Sequence, residues 1–169
     1  MSIALRRATA DDLDGIVEVF LGCWHDSYAR TLPDRLVRLM SPDRANALWQ
    51  RVLGEDHGQV VVAAEDDLVR GVTRYARRDD GVGMIYSLYV DPSAQGSGLG
   101  ARLLAAAESS LATAGATRGL LWVFDANTPS IGFYHRQGWT EDGTTRTTEE
   151  FGELERRLTK HLALQVAAS

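Results

Sequence analysis

Apolar residues recur along this chain with two different periods, and the changes of period mark its elements. Residues 3–7 read as a short strand. Leu13, Ile16, Val17, Phe20, Leu21 and Trp24 then follow at helical spacing and make one apolar stripe, on a helix expected to end near Tyr28. Thr9 or Asp11 can cap it, and Asp11, Asp12 and Asp14 put negative charge on the first turn, where the helix dipole favours it. Leu32-Pro33-Asp34 is a break and a new start. A second helix over 34–54 carries Leu36, Leu39, Leu48, Trp49 and Leu53, with a bend at Ser41-Pro42. Residues 59–64 and 68–76 form a hairpin around Glu65-Asp66-Asp67, and 84–90 is a strand rich in Ile, Tyr, Leu and Val. Leu99, Leu103, Leu104, Ala107 and Leu111 define the next helix, ending at Gly115. The apolar run 120–124 lacks alternation, which predicts a strand buried on both faces. A short helix over 129–137 is closed by Gly138. Two strands follow, one from Trp139 and one over 153–158, and the alanine-rich tail beyond His161 is expected to fray.

The order β-α-α-β-β-β-α-β-α-β-β predicts an antiparallel meander followed by a βαβ crossover. With 169 residues and no repeat or linker, one domain over 1–169 is expected. The net charge of −5, from 18 basic and 23 acidic residues, leaves no basic stripe for a phosphate backbone. Nucleic acid is therefore not an expected partner. An acidic balance attracts cationic substrates slightly. Cys23 is the single cysteine, so no internal disulfide is expected, and its apolar helical setting reads as a small buried hydrophobe. His25, His57, His135 and His161 lack ligand spacing, so no metal site is expected. The first residues contain no apolar signal segment, and no run approaches the ~20 residues that span a bilayer. A cytoplasmic location without membrane contact is the expectation.

The segment with chemistry in it is Tyr89-Val90-Asp91-Pro92-Ser93-Ala94-Gln95-Gly96-Ser97-Gly98-Leu99-Gly100-Ala101. A strand enters a glycine-rich loop, and the loop opens a helix. Glycines leave backbone N–H groups unshielded, and together with a helix N-terminus these make a concave site for anionic oxygen, a diphosphate being the natural guest. A single glycine would be explained by a turn needing positive φ; three in five positions are not. The same residues satisfy the dinucleotide pattern G-x-G-x-x-A, with Asp125 placed like a ribose-binding acid. Against that, four strands and two helices precede the loop, and only 69 residues follow Gly100.

Gln95-Gly96-Ser97-Gly98-Leu99-Gly100 resembles the [Gln/Arg]-x-x-Gly-x-[Gly/Ala] signature of the GNAT superfamily of acyl-CoA-dependent N-acyltransferases. Asn127-Thr128-Pro129-Ser130-Ile131-Gly132-Phe133-Tyr134-His135-Arg136-Gln137-Gly138-Trp139 is similar to that family's second motif. The likeness covers almost the whole chain. It implies an α/β (α+β) fold with a mixed, mostly antiparallel central sheet of about seven strands flanked by about four helices. It implies acetyl-CoA as cosubstrate and transfer of an acetyl group to a primary amine by direct attack through a tetrahedral intermediate. The acceptor expected is a small molecule or polyamine, with a protein N-terminus as a further class; a catalytically silent acyl-CoA sensor is the alternative. A homodimer is compatible with the family, although no residue establishes one.

By the same resemblance, Gln95, Gly96, Gly98, Gly100 and Ala101 hold the diphosphate through loop amides, with Ser97 a further hydroxyl donor. The backbones of Leu88 and Val90 lie along pantetheine, and the Leu88 N–H is the simplest oxyanion donor. Asn127 either contacts pantetheine or makes an Asx turn before Pro129. Tyr134 matches the family tyrosine near the thioester sulfur; a phenol of pKa ~10 is protonated at neutral pH and can donate to the departing thiolate. The alternative for Tyr134 is a core aromatic. Relatives often carry a glutamate on the fourth strand, but Met84-Ile85-Tyr86-Ser87-Leu88 has no carboxylate, so the base is open among Asp26, His25, Tyr28, Tyr86 and Glu65. Trp24, His25, Asp26 and Tyr28, with Tyr86, are the expected acceptor-site residues, Trp24 also reading as the end of the apolar stripe.

Overall fold

A computed structural model of the chain describes residues 2–163. Seven strands form one sheet in the order β1-β2-β3-β4-β5-β7-β6. They are β1 Ile3–Arg7, β2 Gln59–Glu65, β3 Leu68–Arg77, β4 Val82–Val90, β5 Arg118–Phe124, β6 Thr140–Thr147 and β7 Leu154–His161. The α-helices are α1 Leu13–Gly22, α2 Asp34–Leu39, α3 Pro42–Gly54, α4 Leu99–Thr113 and α5 Thr128–Arg136. The predicted mixed sheet is present: β1 pairs antiparallel with β2, β4 parallel with β5, and β5 antiparallel with β7. The chain divides into two compact units. One is built from residues up to Arg74 with Ser87–Leu104, the other from Tyr75–Tyr86 with the residues from Ala105 onward.

Three boundary expectations need correction. The first helix does not run to Tyr28 as one α-helix: it ends at Gly22, and the backbone continues as a π-helical turn, Cys23–Ser27, and a 3-10 turn, Tyr28–Arg30. The helix expected over 34–54 is two helices, α2 and α3, so that five α-helices occur among the described residues. Ser41 is an N-cap, its Oγ accepting from the Arg44 N–H, with Pro42 as the first residue of α3. The tail does not fray at once after His161. The Leu162 N–H donates to the Thr117 carbonyl at 2.9 Å and its side chain is buried; the rest of the tail, 164–169, lies outside the described residues.

In the first unit, aromatic rings form the core. Phe20 of α1 meets Trp24, Trp49 of α3 and Tyr89 of β4 edge to face, at centroid distances of 6.1, 5.7 and 4.9 Å. Ala63, Leu99 and Leu103 make a second cluster, with the side chains of Leu88 and Val90 packed on it. Helix α4 approaches β3 closely because Gly71 is there; a Cβ at that position would lie 2.8 Å from Leu103 Cδ1.

In the second unit, β5 is central and its Leu120 and Leu121 are buried. Trp139 is fully buried, and a Cβ added to Gly119 would stand 2.6 Å from its Cη2. Gly119→Ala therefore forces a rigid, enclosed ring to move. The expected cost is about 1–3 kcal/mol, the usual range for overpacking a core. Urea or thermal unfolding reads it directly, and an unchanged midpoint would mean that the indole shifts freely.

Candidate functional site

In the first unit, β4 runs into the glycine loop, and the loop is braced from its N-terminal side. Asp91 Oδ1 accepts from the Ser93 N–H at 2.9 Å and from its hydroxyl at 2.6 Å, while Arg70 Nη1 donates to Ser93 Oγ at 3.0 Å. The Asp91 N–H donates to the Arg70 carbonyl, and the Ala94 N–H to the Asp91 carbonyl. Sequence reasoning passed over Arg70 and Ser93. Asp-Pro-Ser is an Asx-turn sequence, and that signal could have exposed Ser93.

Beyond the brace, Gly96 and Gly98 adopt φ of +82° and +84°, and a Cβ at either would meet open space. Positive φ favours glycine here, and the lack of side chains leaves the backbone bare. None of the N–H groups from Gly96 through Ala101 has an acceptor among the described residues. The first intrahelical bond of α4 is from the Arg102 N–H to the Gly98 carbonyl. The run of donors thus leads into the start of a helix of 15 residues, where the dipole adds partial positive charge. The Gln95 N–H is engaged with the Pro92 carbonyl, and the Ser97 hydroxyl donates to the Ala94 carbonyl. What Ser97 offers outward is its N–H.

The Gln95 side chain turns back into the unit. Its Nε2 donates to Ser27 Oγ at 2.9 Å and to the Val90 carbonyl at 3.1 Å. Cys23 Sγ donates to the same carbonyl at 3.1 Å. The Val90 carbonyl therefore joins the end of β4 to the loop and to the π-helical turn, and Ser27 is a further residue the sequence reading missed. Burial pushes the Cys23 thiol up to about 12, so it is a thiol and not a thiolate at neutral pH.

The expected acceptor-site residues of this unit divide. Trp24 is buried, packed on Phe20 and on Tyr28 at 5.2 Å, which makes it a core ring. Tyr28 is half-buried and also meets Tyr89. His25 donates from Nε2 to the Met40 carbonyl at 2.9 Å, leaving Nδ1 as its lone pair. Asp26 is exposed and paired with Arg30, and Glu65 is paired with Arg70. In this unit His25, Asp26 and Tyr28 lie on one continuous π and 3-10 segment; Glu65 is on a different element.

In the second unit, Tyr86 of β4 is 43% exposed. It follows Ile85, the last β4 residue in register with β5. Asn127 is the N-cap of α5, its side chain accepting from the Ser130 N–H, with Pro129 in the first turn. The side chain therefore caps the helix rather than closing an Asx turn, since the residue two on, Pro129, has no N–H to give. Tyr134 lies on α5, ring to ring with Phe133 at 5.3 Å and Trp139 at 6.4 Å. Burial pushes its phenol above the ordinary tyrosine value, and its hydroxyl has no hydrogen-bond partner among the described residues. No group of three or more metal-ligating side chains occurs among the described residues, and no helix there is long and apolar enough to cross a membrane.

The sequence model of the acetyltransferase (GNAT) family matches residues 15–139. Among curated proteins, none matches this sequence. Solved structures share its fold. The PaiA N-acetyltransferase of Thermoplasma acidophilum, in complex with coenzyme A, superposes with a TM-score of 0.77 at 20% identity, over 95% of this chain and 99% of that one. The ribosomal-protein-S18-alanine N-acetyltransferase of Escherichia coli gives 0.69 at 16% identity, over 99% of each chain. The Salmonella typhimurium protein yncA, with its cofactor acetyl-CoA, gives 0.70 at 21% identity, over 100% of this chain and 99% of that one.

Proposed function

The chain belongs to the acetyltransferase (GNAT) family, and on that premise we propose that it moves an acetyl group from acetyl-CoA to a primary amine, as one catalytic domain over residues 1–169. The observation that carries this reading is the run of uncommitted N–H groups from Gly96 to Ala101 at the start of α4. Aligned amides at a helix N-terminus suit a diphosphate, and coenzyme A supplies one. That coenzyme A and acetyl-CoA accompany two of the structural neighbours supports the same donor.

In this reading Gly96, Ser97, Gly98, Gly100 and Ala101 bind diphosphate through their N–H groups, and Gln95 sets the loop through its side chain. The backbones of Leu88 and Val90 flank pantetheine, the Leu88 N–H polarising the thioester carbonyl. A neutral amine attacks that carbonyl, forming the C–N bond. The tetrahedral intermediate then breaks its C–S bond, and Tyr134 donates a hydrogen bond to the departing thiolate. The amine's surplus proton leaves through a base, for which His25 Nδ1, not used in the bond to Met40, is our candidate on the acceptor segment. Cys23, held as a thiol, forms no covalent intermediate. The acceptor is a small molecule, an amino acid or polyamine, in preference to a protein N-terminus.

A silent acyl-CoA-binding module is the second reading. It is favoured by the lack of a carboxylate on β4 and by the engagement of Asp26 with Arg30. One measurement separates the readings. Acetyl-CoA at 100 times its Kd is expected to stabilise the protein by about 2.7 kcal/mol in thermal unfolding, and NAD(P)H to add nothing. Thiol release with an amine panel then identifies an enzyme. Stabilisation without release across the panel selects the silent module, and stabilisation by NAD(P)H alone sinks both.

A further inference from the structure

The second unit carries an aromatic and cationic face that no role above uses. Trp122, in the middle of β5, lies under two guanidinium groups: Arg146 of β6, 4.2 Å from the ring centroid, and Arg157 of β7, 5.8 Å away. The register explains the meeting. Trp122 stands opposite Arg157, while Phe124 and Arg146 each stand opposite Glu155. Residues opposite one another, and those two apart on a strand, share a face. Phe124 extends the face and packs edge-on against Phe151 at 5.4 Å.

Each guanidinium is anchored by its inner nitrogen. Arg146 Nε donates to Glu155 Oε1 at 3.2 Å. Arg157 Nε donates to Asp142 Oδ2 at 2.6 Å, and its Nη2 to Thr144 Oγ1 at 3.1 Å. The acids lie deeper than the bases. The side chains of Glu155 and Asp142 are 9% and 16% exposed, against 44% and 26% for Arg146 and Arg157. Both terminal nitrogens of Arg146, and Nη1 of Arg157, have no partner among the described residues. The charges of the two pairs cancel, and the guanidinium nitrogens left without a partner are donors. A guanidinium fixed at Nε and stacked on indole is already oriented, so its terminal fork binds a second carboxylate at small entropic cost.

We propose that this face is a binding site for the carboxylate of a small amino acid. Trp122 and Phe124 beside the arginines favour an apolar or aromatic side chain on that amino acid. Tyr86 and Trp122 directly follow Ile85 and Leu121, the last register pair of β4 and β5, so the face begins where that ladder stops. The local preference for an acid opposes the chain's net charge of −5, which taken alone points to cations.

Isothermal titration calorimetry of the full chain tests this with L-phenylalanine and L-leucine, each against its carboxamide, with and without saturating coenzyme A. The acids are expected to bind at least tenfold more tightly than the amides. Arg146→Gln should remove that preference while leaving the Kd for coenzyme A unchanged. Arg146→Lys, which keeps the charge and loses the fork, should restore part of it. Equal binding of acid and amide, binding of neither, or an acid preference untouched in both Arg146→Gln and Arg157→Gln overturns the proposal. Failure of coenzyme A to bind removes the acetyl-transfer reading instead, and the acid–amide comparison without it still decides what the face recognises.

Discussion

Replacing Tyr134 with phenylalanine is expected to lower kcat for acetyl transfer tenfold or more and to leave the Kd for acetyl-CoA within about twofold, on the scale of losing a positioned proton donor. The phenol has no hydrogen-bond partner among the described residues, so deleting it leaves no orphaned group and the variant should fold like the parent. Its ring contacts with Phe133 and Trp139 survive in phenylalanine. Burial raises the phenol's pKa, and a raised pKa favours the neutral form. Tyr134 therefore stays protonated as pH rises from 7 towards its ordinary value of ~10, and no falling limb of the kcat profile in that window belongs to it. The same shift limits what the group can do. A phenol less acidic than a thiol of pKa ~8.5 stabilises a departing thiolate by donating a hydrogen bond better than by giving up its proton. Single-turnover rates with acetyl-CoA, measured alongside acetyl-CoA binding, check this. An unchanged rate would return Tyr134 to the core.

The strand, loop and helix around Gly96 were legible because glycine spacing is a local signal with a local cause. The positive φ of Gly96 and Gly98 and the open space beside them are what that pattern predicts. The end of the first helix was not legible. Trp24 continues the apolar period, but the backbone shifts into a π-helical turn whose Cys23 and Ser27 are tied to Val90 and Gln95. Partners 67 and 68 residues away leave no mark on a window of one helix. Ser41-Pro42 was read as a bend although a capping serine before proline marks a fresh start. Trp122, Arg146 and Arg157 escaped for a topological reason. The order β5-β7-β6 brings them together out of chain sequence, and residues 140–147 are too uniformly polar to show which of their two faces is covered.

The loop itself offers the sharpest contrast, because the chain contains its own control. Gly98 and Gly143 have nearly equal φ, +84° and +86°, and at neither would a Cβ meet anything within 4 Å. Alanine at either position therefore pays the same conformational cost, about 1–2 kcal/mol for a left-handed residue, and no steric one. At Gly143, in the bulged part of β6 between Glu141 and Thr145, the strain is purely structural. At Gly98 the backbone relieves it by rotating the N–H groups that flank the start of α4, and aligned donors are what a diphosphate requires. Gly98→Ala should thus raise the Kd for acetyl-CoA tenfold or more, while Gly143→Ala leaves it unchanged and both lose similar stability. Calorimetry with acetyl-CoA, paired with thermal unfolding of each variant, reads the two effects separately. Equal weakening of binding in both variants would assign the loss to general destabilisation. Unchanged binding in Gly98→Ala would mean that the diphosphate is held by something other than this loop, and the proposed donor site would fall with it.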